Sequence, residues 1–586
     1  MKHFATLLAL GVTMSTSVAA HAANDAAMRQ FAQVSDEFFD QVYFHYAPTT
    51  GTLVGYHQYD TQLEDLSRKT IDEQIAALKS FEKRVEAVPG DADSLDLTTR
   101  GDREILLGTI RSNLLTLETI RPWEKNPDFY SGTASNGAFS IMERKFAPPD
   151  ERLKSLIARE KLMPHLLEEA RVNLKNPPHI YTEIAIEQLP GIISFFEHDV
   201  PLAFVDAKDP AVKAEFSKTN AEVIAALRKY LAWIKSDLLP RSNGDFRIGA
   251  DTFSKKLEYD EMVDLPLDKL LEIDWVNLRQ NQEHFKQVAK ELEPNKDARA
   301  VLEDLGKNHP APDQLLASFR ATFDSLIGFI REHHIVTIPS DVRPILEETP
   351  PFMRATTFAS MDTPGPFETH ATEAYFNVTL PDPKMTPAEV EGYMHSFNIG
   401  TVISTAVHEA YPGHYVQFLW VPQAPSRVRK LLGANTDVEG WAHYCEQMML
   451  DEGYGQPGAG AKDERESKFL RLGQLQDALL RNARFIVGIE MHRGKMSYDQ
   501  AIEFFQKEGY QSKETAIVET KRGTGDPTYL YYTLGKLQIM KLREDLKAKQ
   551  GASFSLEQFH NDFLKQGFPP IKIVRRALMG DDSPTL

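Results

Sequence analysis

The sequence predicts a mainly α fold with one small β element, and three observations lead there. Apolar residues recur at helical spacing over long stretches, as in 269–292, where Leu270, Leu271, Ile273 and Trp275 begin the pattern and Val288 and Leu292 end it. Pro-rich joints such as Asn176-Pro177-Pro178 and Asn308-His309-Pro310 separate these stretches. β-favouring residues gather above all in 371–380, ATEAYFNVTL.

The first segment, 1–22, has Lys2, an apolar run from Phe4 to Val12, and Ala20-His21-Ala22 as a small-x-small cleavage site. It reads as a secretory signal, because the run is too short to span a bilayer. The one cysteine, Cys445, excludes internal disulfides and cysteine-based zinc clusters, and no lipid-attachment cysteine follows the signal. A periplasmic protein is therefore expected, with no inserted membrane segment. A formal charge of −18 argues against nucleic acid or anionic membrane as a partner.

Residues 23–340 are expected to form a helical scaffold and cleft wall, with clear helical patterns in 72–88, 100–117, 151–173, 220–239 and 269–292. Residues 341–586 are expected to hold the chemistry. A short strand is expected in 371–380, with Tyr375 and Asn377 in its middle and Pro381 as its bound. If its edge were exposed, a peptide would bind there by adding a strand. Thr386-Pro387-Ala388-Glu389 is a capping box with Pro at the first helical position.

The organising stretch is 401–417, TVISTAVHEAYPGHYVQ. Ile399, Val402, Ile403, Ala406 and Val407 mark a buried helix, so ionisable groups at its end need partners. His408-Glu409 followed by a second His is how zinc peptidases set two imidazoles and a general base around one metal. His414 stands six residues after His408, and an unbroken helix would turn it away. Pro412 breaks the helix and Gly413 permits a backbone closed to other residues, so His414 is expected to swing back.

A third ligand is expected from 434–451, where Glu439, His443 and Glu446 share a stripe. Glu439 is the leading candidate, 31 residues beyond His408; in the alternative it is only the capping-box partner of Thr436. His443 is the rival ligand or a residue that orients one. Farther on, Arg484 is a candidate holder of a substrate carboxylate and His492 a candidate oxyanion donor, against plain salt-bridge and helix-end roles. Asp526 is expected to cap a helix bearing Tyr529, Tyr531 and Tyr532, and a tyrosine hydroxyl facing the metal suits an oxyanion.

HEAYPGHYVQ, DVEGWAHYCEQ, RFIVGIEMH and YLYYTLGK, in this order, resemble the bacterial family catalogued as domain of unknown function 885. That family is similar in turn to helical, cleft-shaped zinc peptidases of the thimet oligopeptidase and Taq carboxypeptidase types. The resemblance implies a two-lobed zincin-like fold with a deep cleft. It also implies His408, His414 and Glu439 as zinc ligands, Glu409 as base, and Tyr531 or Tyr532 as oxyanion donor. The expected activity is zinc-dependent hydrolysis of short peptides. The alternatives are a peptide-binding protein with a structural metal, and a metal hydrolase of another amide such as cell-wall fragments.

Overall fold

Caps and prolines decide where the expected helices begin and end. Ser67 caps Arg68–Glu86, Asp96 caps Leu97–Leu115, and Asp209 with Pro210 opens Pro210–Trp233 well before the periodic stretch that marks it. The 151–173 stretch is two helices, Pro149–Glu160 and Met163–Asn173, with Pro164 in the first turn of the second, where its missing N–H costs nothing. This computed structural model describes residues 25–350, 353–354 and 357–586, so the signal expected over 1–22 lies outside the described residues. Tyr130, Phe195, Leu227 and Tyr230 are buried in the apolar core of these early helices.

Ala250–Glu261 (α1), Leu267–Leu292 (α2), Ala298–Gly306 (α3) and Leu315–Glu332 (α4) follow. Three short strands come next: Ile345–Glu348 (β1), Ala359–Asp362 (β2) and Tyr375–Val378 (β3). The strand order is β1-β3-β2, with β3 parallel to β1 and antiparallel to β2. The expected strand is present, but it is the inner one, so its backbone is paired on both sides. The edge expected at Tyr375 and Asn377 belongs to β2 instead.

The rest is helical: Pro387–Met394 (α5), Ile399–Glu409 (α6), His414–Trp420 (α7), Asn435–Asp451 (α8), Glu464–His492 (α9), Lys513–Gly525 (α10) and Tyr531–Gln550 (α11). The capping box at Thr386 and Glu389 forms as its residues dictate. Asp526 does not cap α11; it ends α10, and its carboxylate accepts the Tyr531 hydroxyl at 2.8 Å.

One apolar core takes Phe253, Leu270 and Phe285 together with Phe469, Leu479 and Leu534, so α1 and α2 share a core with α9 and α11 across residue 340. Helices α8 and α11 approach closely at Gly440 and Gly535: a β-carbon on Gly535 would lie 2.0 Å from the Thr436 carbonyl oxygen. No described helix is long and apolar enough to cross a membrane.

Candidate metal centre

Helix α6 is buried along Val402, Ala406 and Val407 and delivers His408 and Glu409 at its last turn. The Tyr411-Pro412 peptide is cis. Beyond it the Gly413 amide donates to the Val407 carbonyl at 3.0 Å, and α7 starts at His414. Trp441 of α8 donates its indole N–H to the Pro412 carbonyl at 3.0 Å, which pins the turn from the opposite side. Space here is closed: a β-carbon on Gly413 would stand 1.8 Å from the His408 carbonyl oxygen and 2.4 Å from that of Val407. Backbone atoms cannot yield as a side-chain tip can. Gly413→Ala is therefore expected to destabilise the fold by about 1–3 kcal/mol or more and to weaken zinc binding, measurable by thermal unfolding and zinc titration.

The turn brings His414 back. The Nε2 atoms of His408 and His414 each lie 3.3 Å from Oε2 of Glu439 on α8. Among the described residues these three form a cluster whose donor atoms all fall within 4.8 Å of one another. The expected convergence of residues 408, 414 and 439 is what the coordinates place here. Glu439 is not tied up as a cap, since α8 has no side-chain cap of its own. Glu261 of α1 does that work: its carboxylate accepts the backbone N–H groups of Asn435 and Thr436 at 3.1 and 2.9 Å and the Thr436 hydroxyl at 2.6 Å.

Burial raises the Glu261 carboxyl to about 7 against the pull of these hydrogen bonds. A carboxyl held higher in the fold than in the open chain binds its proton preferentially when folded, so its contribution is present below about 4.5 and is lost as pH rises towards about 7. Thermal unfolding across that window is expected to show this loss in the native protein and not in Glu261→Gln.

Glu446, seven residues and two helical turns beyond Glu439, is the hub behind the cluster. It is fully buried, with Oε1 2.7 Å from His408 Nδ1 and 3.0 Å from the Arg481 guanidinium, and Oε2 3.0 Å from His443 Nδ1. Burial pushes this carboxyl up, but Arg481, His443 and His408 outweigh it and hold the group well below the usual range. An ionised carboxylate only accepts, so the Nδ1 of His408 carries the proton and its Nε2 lone pair turns to Glu439. His443 lies outside the three-residue cluster and holds Glu446 from within α8. Burial drives its imidazole down to about 3, so it stays neutral.

A cavity of about 820 Å³ opens in front of the cluster. His408, Glu409, Arg481, Arg484, Arg522 and Tyr532 line it together with Ala359 and Ser360 of β2. Burial raises the Glu409 carboxyl above its ordinary value. The Tyr532 ring lies 6.2 Å from that of His408, and its hydroxyl accepts from Arg522 at 3.1 Å. The Tyr531 hydroxyl is committed to Asp526, and Tyr531 does not line the cavity.

Other expected residues sit elsewhere. Arg484 gives two hydrogen bonds to Glu519, at 2.6 and 2.8 Å, so the salt-bridged reading describes it although it faces the cavity. His492 is corrected outright: its Nε2 is 2.8 Å from the Gly523 carbonyl and its Nδ1 accepts the Ile248 N–H at 3.3 Å. Both nitrogens are spent on backbone and none remains for an oxyanion. Tyr375 lies under the Arg144 guanidinium, Asn377 is buried in β3, and neither lines the cavity. Arg481, Arg522 and the β2 edge went unflagged in the sequence. The signal available for Arg481 was its place one helical turn before Arg484 on α9.

The fold and this site together define a mainly helical bacterial protein built around a buried His–His–carboxylate cluster. Residues 48–578 match the family model described as "Bacterial protein of unknown function (DUF885)", and the chain belongs to that family. It is similar to a solved structure titled a "putative lipoprotein of unknown function" from Shewanella oneidensis, at 27% identity and a TM-score of 0.75, covering 94% of this chain and 99% of the other. A second, titled "putative lipoprotein" and from Colwellia psychrerythraea, is 16% identical with a TM-score of 0.72 over 95% and 99% of the two chains. No curated protein matches the sequence.

Proposed function

We infer that this protein is an exported zinc-dependent peptidase of zincin-like design that cuts short peptides in the cavity. The observation that carries the reading is the meeting of His408, His414 and Glu439 beside Glu409 on the cavity wall. The donor set fits a zinc ion. Ligand bonds of about 2.0–2.1 Å in a tetrahedron set donors about 3.4 Å apart, and both imidazole–carboxylate separations are 3.3 Å. Glu439 Oε2 is also buried without a hydrogen bond, which is costly unless a cation takes its charge. When bound, zinc supplies a Lewis acid that acidifies water and polarises the scissile carbonyl.

The chain's own groups do the rest. Glu409, its proton affinity raised by burial, takes the proton of the attacking water and hands it to the leaving amine. Arg522 donates to the Tyr532 oxygen, so the Tyr532 O–H proton is free to point into the cavity at a developing oxyanion. The unpaired edge of β2 at Ala359 and Ser360 offers backbone groups for an extended peptide. Arg481 and Arg522 make the wall attractive to a peptide carboxylate.

The test is incubation of the zinc-loaded protein with a mixed peptide library, with products read by mass spectrometry and His408→Ala as control. Cleavage by the native protein alone supports the reading. Bound zinc with no product from any peptide would favour a binding protein instead.

A further inference from the structure

A second group of metal-ligating side chains stands apart from the three described above. We propose that His309, Glu391 and His395 form a second site for a zinc-class divalent cation, which ties the segment after α3 to the helical turn leading into α6.

The geometry repeats that of the first cluster. His309 Nε2 lies 3.4 Å and His395 Nε2 3.5 Å from the same Glu391 oxygen, Oε1, close to the edge of about 3.4 Å set by tetrahedral ligand bonds. All three donor atoms fall within 4.8 Å of one another. The separations are too long for strong hydrogen bonds, and His395 Nε2 is buried without any hydrogen-bond partner. A buried ring nitrogen of this kind is costly unless something is bound to it.

The tautomers are arranged for metal. His309 Nδ1 is 2.8 Å from the Pro310 carbonyl oxygen, which can only accept, so Nδ1 carries the proton and Nε2 presents its lone pair to Glu391. Glu391 and His395 are four residues apart on one helical face. The His395 ring is held from behind by α3, where a β-carbon on Gly306 would lie 3.1 Å from it. The backbone already joins the two segments once, through Ile399 N–H to the Asn308 carbonyl at 2.9 Å. His395 and Gly306 line the same cavity as His408, so a cation here would brace the cavity wall.

Metal-free protein is titrated with zinc by calorimetry, and the zinc retained after gel filtration is counted by elemental analysis. The native chain is expected to hold two equivalents. His309→Ala with His395→Ala is expected to hold one, and Glu391→Gln, changed at an exposed position, to bind the second at least about tenfold more weakly. His408→Ala is expected to lose the other equivalent. Two equivalents held with unchanged affinity by Glu391→Gln would overturn the proposal, as would a single native equivalent that His408→Ala removes. A single equivalent that survives His408→Ala but weakens in Glu391→Gln would uphold this site and sink the catalytic one. Circular dichroism of each variant confirms the native helix content.

Discussion

Glu409→Gln is expected to lower peptide hydrolysis by roughly a hundredfold or more while zinc content stays at the native level. The amide has nearly the shape of the carboxylate but cannot accept a proton near neutral pH. Glu409 is not one of the three converging donors, so its loss leaves the ligands in place. The neutral side chain also removes a buried carboxyl whose ionisation burial opposes, so the variant should be no less stable than the native protein. Rates on each cleaved peptide, with elemental analysis of the same samples, check this. Full activity in the variant would assign the base elsewhere, and lost zinc would make Glu409 a ligand.

Glu446→Ala is expected to be the most damaging change behind the site. It leaves Arg481 without its carboxylate in a buried setting, where breaking an ion pair costs about 3–5 kcal/mol. It also frees the Nδ1 of His408 and of His443 together. The His408 ring then loses the partner that fixes its tautomer, and zinc affinity should fall about ten- to a hundredfold. Unfolding measured with and without zinc separates the two effects, since the metal-free protein shows the ion-pair loss alone. Native zinc affinity in this variant would remove Glu446 from the ligand support.

How much of this was legible before the fold depends on how local each signal is. The helices, the capping box at Thr386 and the turn that returns His414 are written within a few residues, because periodicity, a cap and a Pro-Gly pair act at short range. Glu439 was legible because one loop separates its helix from His408. The inner position of β3 was not, since pairing depends on strands at 345–348 and 359–362 whose residues are only weakly β-favouring. His492 misled for a related reason. Its place at a helix end said nothing about the Gly523 carbonyl 31 residues away that claims it. Glu261 was equally silent, because it meets Asn435 and Thr436 from 174 and 175 residues away.

That distant carboxylate bears on how the protein can be dissected. The helix that presents Glu439 starts on two amide groups satisfied only from α1, far upstream of the strands. A fragment beginning at residue 341 would carry every proposed zinc ligand and still lack the anchor under one of them. The centre is thus no portable cassette: transplanted or truncated versions should bind metal poorly unless α1 travels along.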